Sequence, residues 1–287
     1  MIICLVFARR VQVRVSPAHR RGARRLRCWL PLAGAPVLWP ELFGLAAVSP
    51  FAALVTFRPV LAVAQLTLAA LAGLLGPRWR PSALVAGGMA VVALGAGVPR
   101  VVRGPSPPEG RTLTILVFNV WYGRADVEAL AGTIRGERPD LVVLPEAGQR
   151  FRGWLGTVLN GLGYRSWVTT SPGEPEASGI TVLAAAGLGE VTTTPVDPGS
   201  RLRWMRLEGG TLGEVEVIAV RTVTPVRGQT REWAAELGML RAWCVEGSGA
   251  HIVIGDVNAT LDHAPLRVAL NGAQDVAADR GQGFVAT

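Results

Sequence analysis

Three long apolar stretches open the chain. Residues Trp29–Val48 carry one charge, Glu41, while Pro59–Gly76 and Ala83–Val98 carry none. A helix that crosses a hydrocarbon core of about 30 Å needs about 20 mostly apolar residues. The pattern therefore predicts about three transmembrane helices over residues 29–99, with Phe51–Phe57 lengthening the second. Pro31, Pro36 and Pro40 make the first the poorest helix of the three, although bilayers tolerate proline where neighbouring groups satisfy the freed backbone. Two spans is the alternative count. A soluble helical bundle is disfavoured by the near absence of charge over these lengths.

The texture changes after Arg100–Gly110, a run rich in Pro and Gly that neither continues a helix nor joins a sheet and reads as a linker. Short β-branched runs then alternate with amphipathic stretches, the pattern of a mixed α/β domain over residues 111–287. Strands are expected at Leu113–Val120, Leu141–Leu144, Gly179–Ala186, Leu212–Val220 and Ile252–Asp256. Helices are expected at about Ala125–Gly136 and at Thr230–Val245, whose Trp233, Leu237, Leu240 and Trp243 recur at helical spacing and belong to a core rather than to a base-stacking platform.

Composition agrees with this division. Only 17% of the 287 residues are charged and the mean hydropathy is +0.34, too apolar for an ordinary soluble enzyme. The formal charge of +8 comes from arginine alone, since the chain has no Lys, and much of the excess lies in a basic tail, residues 1–28. That tail, together with Arg78 and Arg80 between the second and third apolar stretches, is expected on the cytoplasmic side. Three crossings then place the C-terminal domain outside the cytoplasm. A cleaved signal peptide would need only one apolar stretch. Cys4, Cys28 and Cys244 lie far apart without metal-site spacing, so neither a zinc site nor a disulfide scaffold is indicated.

The chemistry is concentrated at strand ends. Leu113–Val120 is nearly all apolar and delivers a single amide, Asn119. Pro139-Asp140 turns the chain into Leu141–Leu144, and that strand finishes in Pro145-Glu146. Ile252–Ile254 leads through Gly255 to Asp256 and Asn258, which period-two geometry aims to one side. If these strands are neighbours, two carboxylates and two amides share a pocket rich in oxygen, suited to a hard divalent cation. Asp140 is ordinary turn chemistry, and Asp262 reads as the N-terminal cap of a helix beginning near His263.

Asn119, then Pro-Asp-strand-Glu146, then Gly-Asp256-Val-Asn258, in this order and spacing, resemble the endonuclease/exonuclease/phosphatase superfamily. Flanking text from Asn119 to Asp126 and from Asn258 to Arg267 is similar to its membrane-anchored bacterial branch. The resemblance implies a four-layer α/β sandwich of the DNase I-like kind. It implies Glu146 as the ligand of Mg²⁺ or Mn²⁺ with help from Asn119, Asp256 as the residue that aligns or deprotonates the attacking water, and Asn258 as a donor to the phosphate. The substrate would be a phosphate ester: nucleic acid, a phospholipid headgroup or a small phosphoester. Membrane lipid would surround the N-terminal helices, and no protein partner is evident.

Two departures stand out. The family usually has a His where Val217–Val220 is followed by Arg221, which can bind phosphate but cannot shuttle a proton at neutral pH. The family's terminal Asp-His motif is missing before Thr287, which reads as a truncated C-terminus. A membrane-anchored module that keeps the fold without catalysis is therefore the alternative to a phosphoesterase.

Overall fold

The structure, a computed structural model, describes residues 32–102, 104, 110, 112–194, 202–244 and 249–283. The arginine run of the tail, Cys4, Cys28 and most of the Pro/Gly-rich linker lie outside the described residues.

Two helices stand apart from the rest, α1 at Arg58–Leu74 and α2 at Arg80–Gly95. With the helical turns that precede α1 and follow α2, they form continuous segments Phe51–Leu74 and Arg80–Arg100, both long and apolar enough to cross a membrane. They pair as a hairpin through small residues, Ala62 and Ala69 against Ala86, Ala90 and Ala93, and Gln65 Nε2 donates to the Ala86 carbonyl at 3.0 Å. Small side chains let two backbones approach closely, the usual basis of helix pairing in lipid. The large residues point away. Val60, Leu68, Leu71, Leu84 and Val92 are all exposed.

The expected first span does not form among the described residues. Residues 32–48 instead make a one-turn helix at Ala35–Leu38 and a 3₁₀ turn at Pro40–Phe43. Pro36 and Pro40 open these turns, and an interior proline removes a helical hydrogen bond and clashes with the turn before it. Among the described residues two segments, rather than three, are long and apolar enough to cross a membrane.

The C-terminal domain has two four-stranded sheets among the described residues, ordered β1-β2-β4-β3 and β5-β6-β7-β8. In the first, β1 (Ile115–Val117) runs parallel to β2 (Leu141–Pro145), which pairs antiparallel with β4 (Ile180–Ala185) and through it with β3 (Tyr164–Val168). In the second, β5 (Val191–Thr194), β6 (Arg203–Gly209) and β7 (Val215–Arg221) are antiparallel neighbours, and β8 (Ala250–Asp256) lies parallel to β7.

Strand alternation builds the layers. Leu141 and Val143 of β2 face Val217 and Ala219 of β7 in the core between the sheets. Val142 and Leu144 turn outward onto α3 (Val127–Glu137) and α4 (Gln149–Val158), through Leu130, Ile134, Phe151 and Leu155. Ile218 and Val220 turn outward onto α5 (Thr230–Met239) and α6 (Ala264–Ala269), through Trp233, Leu237 and Leu266. The result is helix, sheet, sheet, helix. Buried strands with apolar side chains on both faces are what such a sandwich requires. The core role expected of Trp233, Leu237 and Leu240 is met.

The hairpin is bolted to this domain. Asp262 does not cap a helix, as the sequence led us to expect. It accepts a two-pronged pair of hydrogen bonds from Arg100, Nη1 to Oδ2 at 2.8 Å and Nη2 to Oδ1 at 3.2 Å, with Arg58 Nη1 at 3.8 Å. Arg58 also pairs with Glu41 at 2.9 Å, and Arg267 reaches Glu41 from α6 at 3.1 Å. Ala52 packs in the same core as Trp233 and Leu266. Nor is the start of the expected linker a free tether, because the Gly104 N–H donates to the Asp279 carbonyl at 2.7 Å and the Gly283 N–H to the Arg100 carbonyl at 3.0 Å.

His263 completes the joint. Its Nδ1 accepts from the Thr260 N–H at 2.9 Å and its Nε2 lies 2.7 Å from the Ala52 carbonyl, so the neutral imidazole donates from Nε2. Burial is the largest cause that lowers its pKa from 6.5, against backbone hydrogen bonds that raise it. Above that value the imidazole is neutral whether the chain is folded or not. As pH falls through it, the unfolded chain takes up a proton that the folded one refuses, so acid removes stability. The thermal midpoint should therefore fall more steeply between about pH 7 and pH 5 for the wild-type chain than for His263→Gln; equal slopes would show that His263 does not couple protons to folding.

Candidate active site

Two pairs of parallel strands, one in each sheet, end at the same rim of the sandwich. Asn119 follows β1, Glu146 follows β2, Arg221 ends β7 and Asp256 ends β8. Asn119 and Glu146 close neighbouring strands of one sheet, as the sequence led us to expect, whereas Asp256 ends a strand of the facing sheet, and one side chain joins them.

Asn119 Nδ2 donates to Asp256 Oδ2 at 2.7 Å and to Glu146 Oε1 at 3.2 Å. Its Oδ1 accepts from the Trp121 N–H at 2.8 Å, which fixes the direction of the amide. Glu146 is 6% exposed. Its Oε2 accepts from the Tyr122 N–H at 2.8 Å, and its Oε1 also meets Arg221 Nη2 at 3.2 Å. Asp256 Oδ1 accepts from the Asn258 N–H at 2.9 Å, and Asn258 Nδ2 donates to the Thr222 carbonyl at 3.0 Å. All five residues picked out from sequence thus belong to one hydrogen-bonded network.

Local backbone makes this possible. Gly255 has φ +138°, and a Cβ there would overlap the Val220 carbonyl oxygen, so only glycine lets β8 press against β7 just before Asp256. Glu146 (φ 63°) and Asn258 (φ 47°) are left-handed, and so are Trp121 (φ 47°), Tyr122 (φ 59°) and Gly123 (φ 66°) in succession. A left-handed residue bearing a Cβ costs roughly 1–2 kcal/mol, and such strain persists where the surroundings over-determine it. Here the Trp121 and Tyr122 N–H groups are held by Asn119 and Glu146, which leaves both rings projecting outward, 64% and 49% exposed. The sequence offered no sign of this turn beyond Gly123.

Glu176 was also missed. Its carboxylate accepts from the N–H groups of Gly148 at 2.8 Å, Arg150 at 3.1 Å and Phe151 at 3.2 Å. An anion is favoured at the start of a helix, and here it fixes α4 directly behind Glu146. Asp140 is structural as expected, accepting from the Thr114 N–H at 2.8 Å.

The donor set suits a divalent cation. Two carboxylates share this network with a single guanidinium, that of Arg221, which bonds Glu146 alone, so negative charge is in excess. A small hard ion that keeps several waters needs only one or two carboxylates. Asn119 turns its amide nitrogen, not its oxygen, toward both carboxylates, so in this arrangement it sets their spacing, and the oxygens of Glu146 are the ones that would hold a cation. Among the described residues, no group of three or more His, Cys, Asp or Glu gathers into a metal cluster. Arg221 Nε and the Thr222 hydroxyl are buried without a hydrogen-bond partner, polar atoms suited to an oxyanion at this mouth.

Solved structures align at low identity: truncated Caenorhabditis elegans TDP2 at 17% identity and TM-score 0.42, over 53% of this chain and 64% of that one; an AP endonuclease from Archaeoglobus fulgidus at 17% and 0.40, over 60% and 68%; and ANGEL2, a 2',3'-cyclic phosphatase, in complex with adenosine-2',3'-vanadate at 14% and 0.41, over 61% and 62%. The chain thus spans less than two thirds of the length of the TDP2 structure. The comparison with curated proteins gave no match. The endonuclease/exonuclease/phosphatase family pattern covers residues 116–284, which takes in the whole network from Asn119 to Asn258. The chain belongs to the endonuclease/exonuclease/phosphatase family, whose members are hydrolases that act on phosphate ester bonds.

Proposed function

We propose that the chain is a membrane-anchored, divalent-metal-dependent phosphoesterase. The observation that carries this reading is the Asn119 amide bridging Glu146 and Asp256 across the two sheets.

Asp256 is placed to handle water. Among the described residues each of its oxygens accepts one hydrogen bond, from Asn119 and from Asn258, so each keeps a lone pair for a water proton. A carboxylate within hydrogen-bond reach is a competent general base. The water oxygen forms the new bond to phosphorus, its proton passes to Asp256, and the ester oxygen leaves and takes up a proton. Arg221 directs the unpartnered Nε–H toward a phosphate oxygen, and Asn258 has a second amide N–H for another. Mg²⁺ or Mn²⁺ held at Glu146 would neutralise charge on the phosphate. His263 takes no part, since both ring nitrogens are engaged at Thr260 and Ala52.

The membrane reading rests on the hairpin, whose outward faces are lined with exposed Val and Leu, a surface too apolar for water. Arg78 and Arg80 lie in its turn, and arginine favours the cytoplasmic face. With that turn at the cytoplasmic face, the domain would stand outside the cytoplasm.

The purified full chain in detergent micelles is expected to release p-nitrophenol from bis(p-nitrophenyl) phosphate with Mg²⁺ and to stop when EDTA is added. Phosphate-ester binding without turnover would favour the second reading, a non-catalytic module that retains the fold.

A further inference from the structure

We infer that the catalytic end of the domain is seated on the bilayer surface and that the substrate is the phosphoester headgroup of a membrane lipid. The inference rests on the phosphoesterase reading above and adds to it the substrate class.

The catalytic loop and the foot of the hairpin are one structure. Asp256 ends β8, and only a few residues later Asp262 holds Arg100 and Arg58 while His263 holds the Ala52 carbonyl. Two rings bridge the interval. Trp233 Nε1 donates to the Val257 carbonyl at 3.3 Å, and the Trp233 ring meets that of His263 edge-on with centroids 5.1 Å apart. Arg58 begins α1, and Arg100 closes the segment that contains α2. Both membrane segments therefore meet the domain at the loop that carries Asp256 and Asn258. A long free linker would let the active site roam. A buried ion pair here holds it beside the lipid surface.

The rim of the mouth has the matching composition. Trp121 and Tyr122 project from the left-handed turn, Arg124 stacks over both rings at 5.5 and 6.0 Å, and Val226 and Arg227 are exposed after β7. Rings with a polar edge settle at headgroup depth, and arginine beside them attracts phosphate. Stacked arginine and aromatic residues also suit nucleic acid. The fixed hairpin decides between the two, because a site bolted to the foot of its own membrane anchor meets headgroup phosphate continuously.

The test uses the full chain reconstituted with Mg²⁺ in vesicles of phosphatidylcholine and phosphatidylglycerol. Hydrolysis of vesicle lipid is followed beside that of bis(p-nitrophenyl) phosphate and of a single-stranded DNA oligonucleotide. In the lipid reaction water oxygen joins phosphorus, one ester bond to phosphorus breaks, and the released oxygen takes a proton. Lipid turnover is expected, and Trp121→Ala combined with Val226→Asp should lower the ratio of lipid to soluble-ester turnover at least tenfold. A nitroxide on Val226→Cys, in a chain with Cys4, Cys28 and Cys244 changed to Ser, should be more accessible to oxygen than to a water-soluble nickel chelate. Turnover of the soluble ester or the oligonucleotide with lipid untouched overturns the proposal, as does an unchanged ratio or a label open to the chelate. If no ester of any kind is cleaved, the phosphoesterase reading fails and the lipid substrate with it, while the label's depth still decides how the domain is seated.

Discussion

Asp256→Asn should lower turnover of bis(p-nitrophenyl) phosphate by about 10²- to 10⁴-fold, the range that a positioned proton acceptor contributes. The loss should fall on kcat. The substitution keeps the shape of the side chain but replaces one of two accepting oxygens with a donor. Either Asn119 Nδ2 or the Asn258 N–H then faces another N–H. One unmade hydrogen bond of this kind costs about 1 kcal/mol, so the domain should remain folded with a slightly lower thermal midpoint. Glu146→Gln separates the two carboxylates: it should raise the Mg²⁺ concentration needed for half-maximal rate, because Glu146 is the buried carboxylate bonded to Arg221 and Tyr122. A rate within tenfold of wild type for Asp256→Asn would remove Asp256 from the chemistry.

Asp262→Ala should destabilise the chain more than any change in the catalytic network. It removes the carboxylate that Arg100 holds in a two-pronged contact and strips one of two from Arg58, with all three side chains at most 10% exposed. Removing one member of a buried ion pair costs about 3–5 kcal/mol because the remaining charge stays buried. Glu41 still serves Arg58, which places the expected loss near the lower end. Thermal unfolding in detergent would measure it, and a loss below about 1 kcal/mol would make the joint no stronger than a surface ion pair. Glu41→Gln should cost less, since Glu41 is more exposed.

The site was legible because single polar residues close otherwise apolar runs. Leu141–Pro145 is buried throughout and the next side chain is Glu146, so the hydropathy pattern alone singles it out. The same holds for Asn119 and Asp256. Backbone strain left less trace, because Glu146 is not a residue that marks a left-handed position, although Asn258 is of a type that tolerates one. Strands β3, β5 and β6 also escaped. In β6 Arg203, Arg206 and Glu208 interrupt Trp204, Met205 and Leu207, and a strand half-open to solvent looks like a loop when charges fill its outer face. Asp262 was misread because its partner Arg100 is 162 positions away, beyond any local rule, while a helix just ahead offered an ordinary use for an acidic residue. The first apolar stretch, which forms no long helix among its described residues, was misread for a related reason. Glu41 looked like a lone charge in a greasy stretch, but it pairs with Arg58 and Arg267 at the foot of the domain.

A hairpin returns the chain to the leaflet from which it departed. If both segments cross, as proposed, the crossings cancel, and the chain before Phe51 and the domain after Arg100 share one side. On the same proposal the domain's own side would be set at the hairpin's far tip, where Arg78 and Arg80 lie. The compartment of the whole network around Glu146 would then hang on two residues at the opposite end of the hairpin.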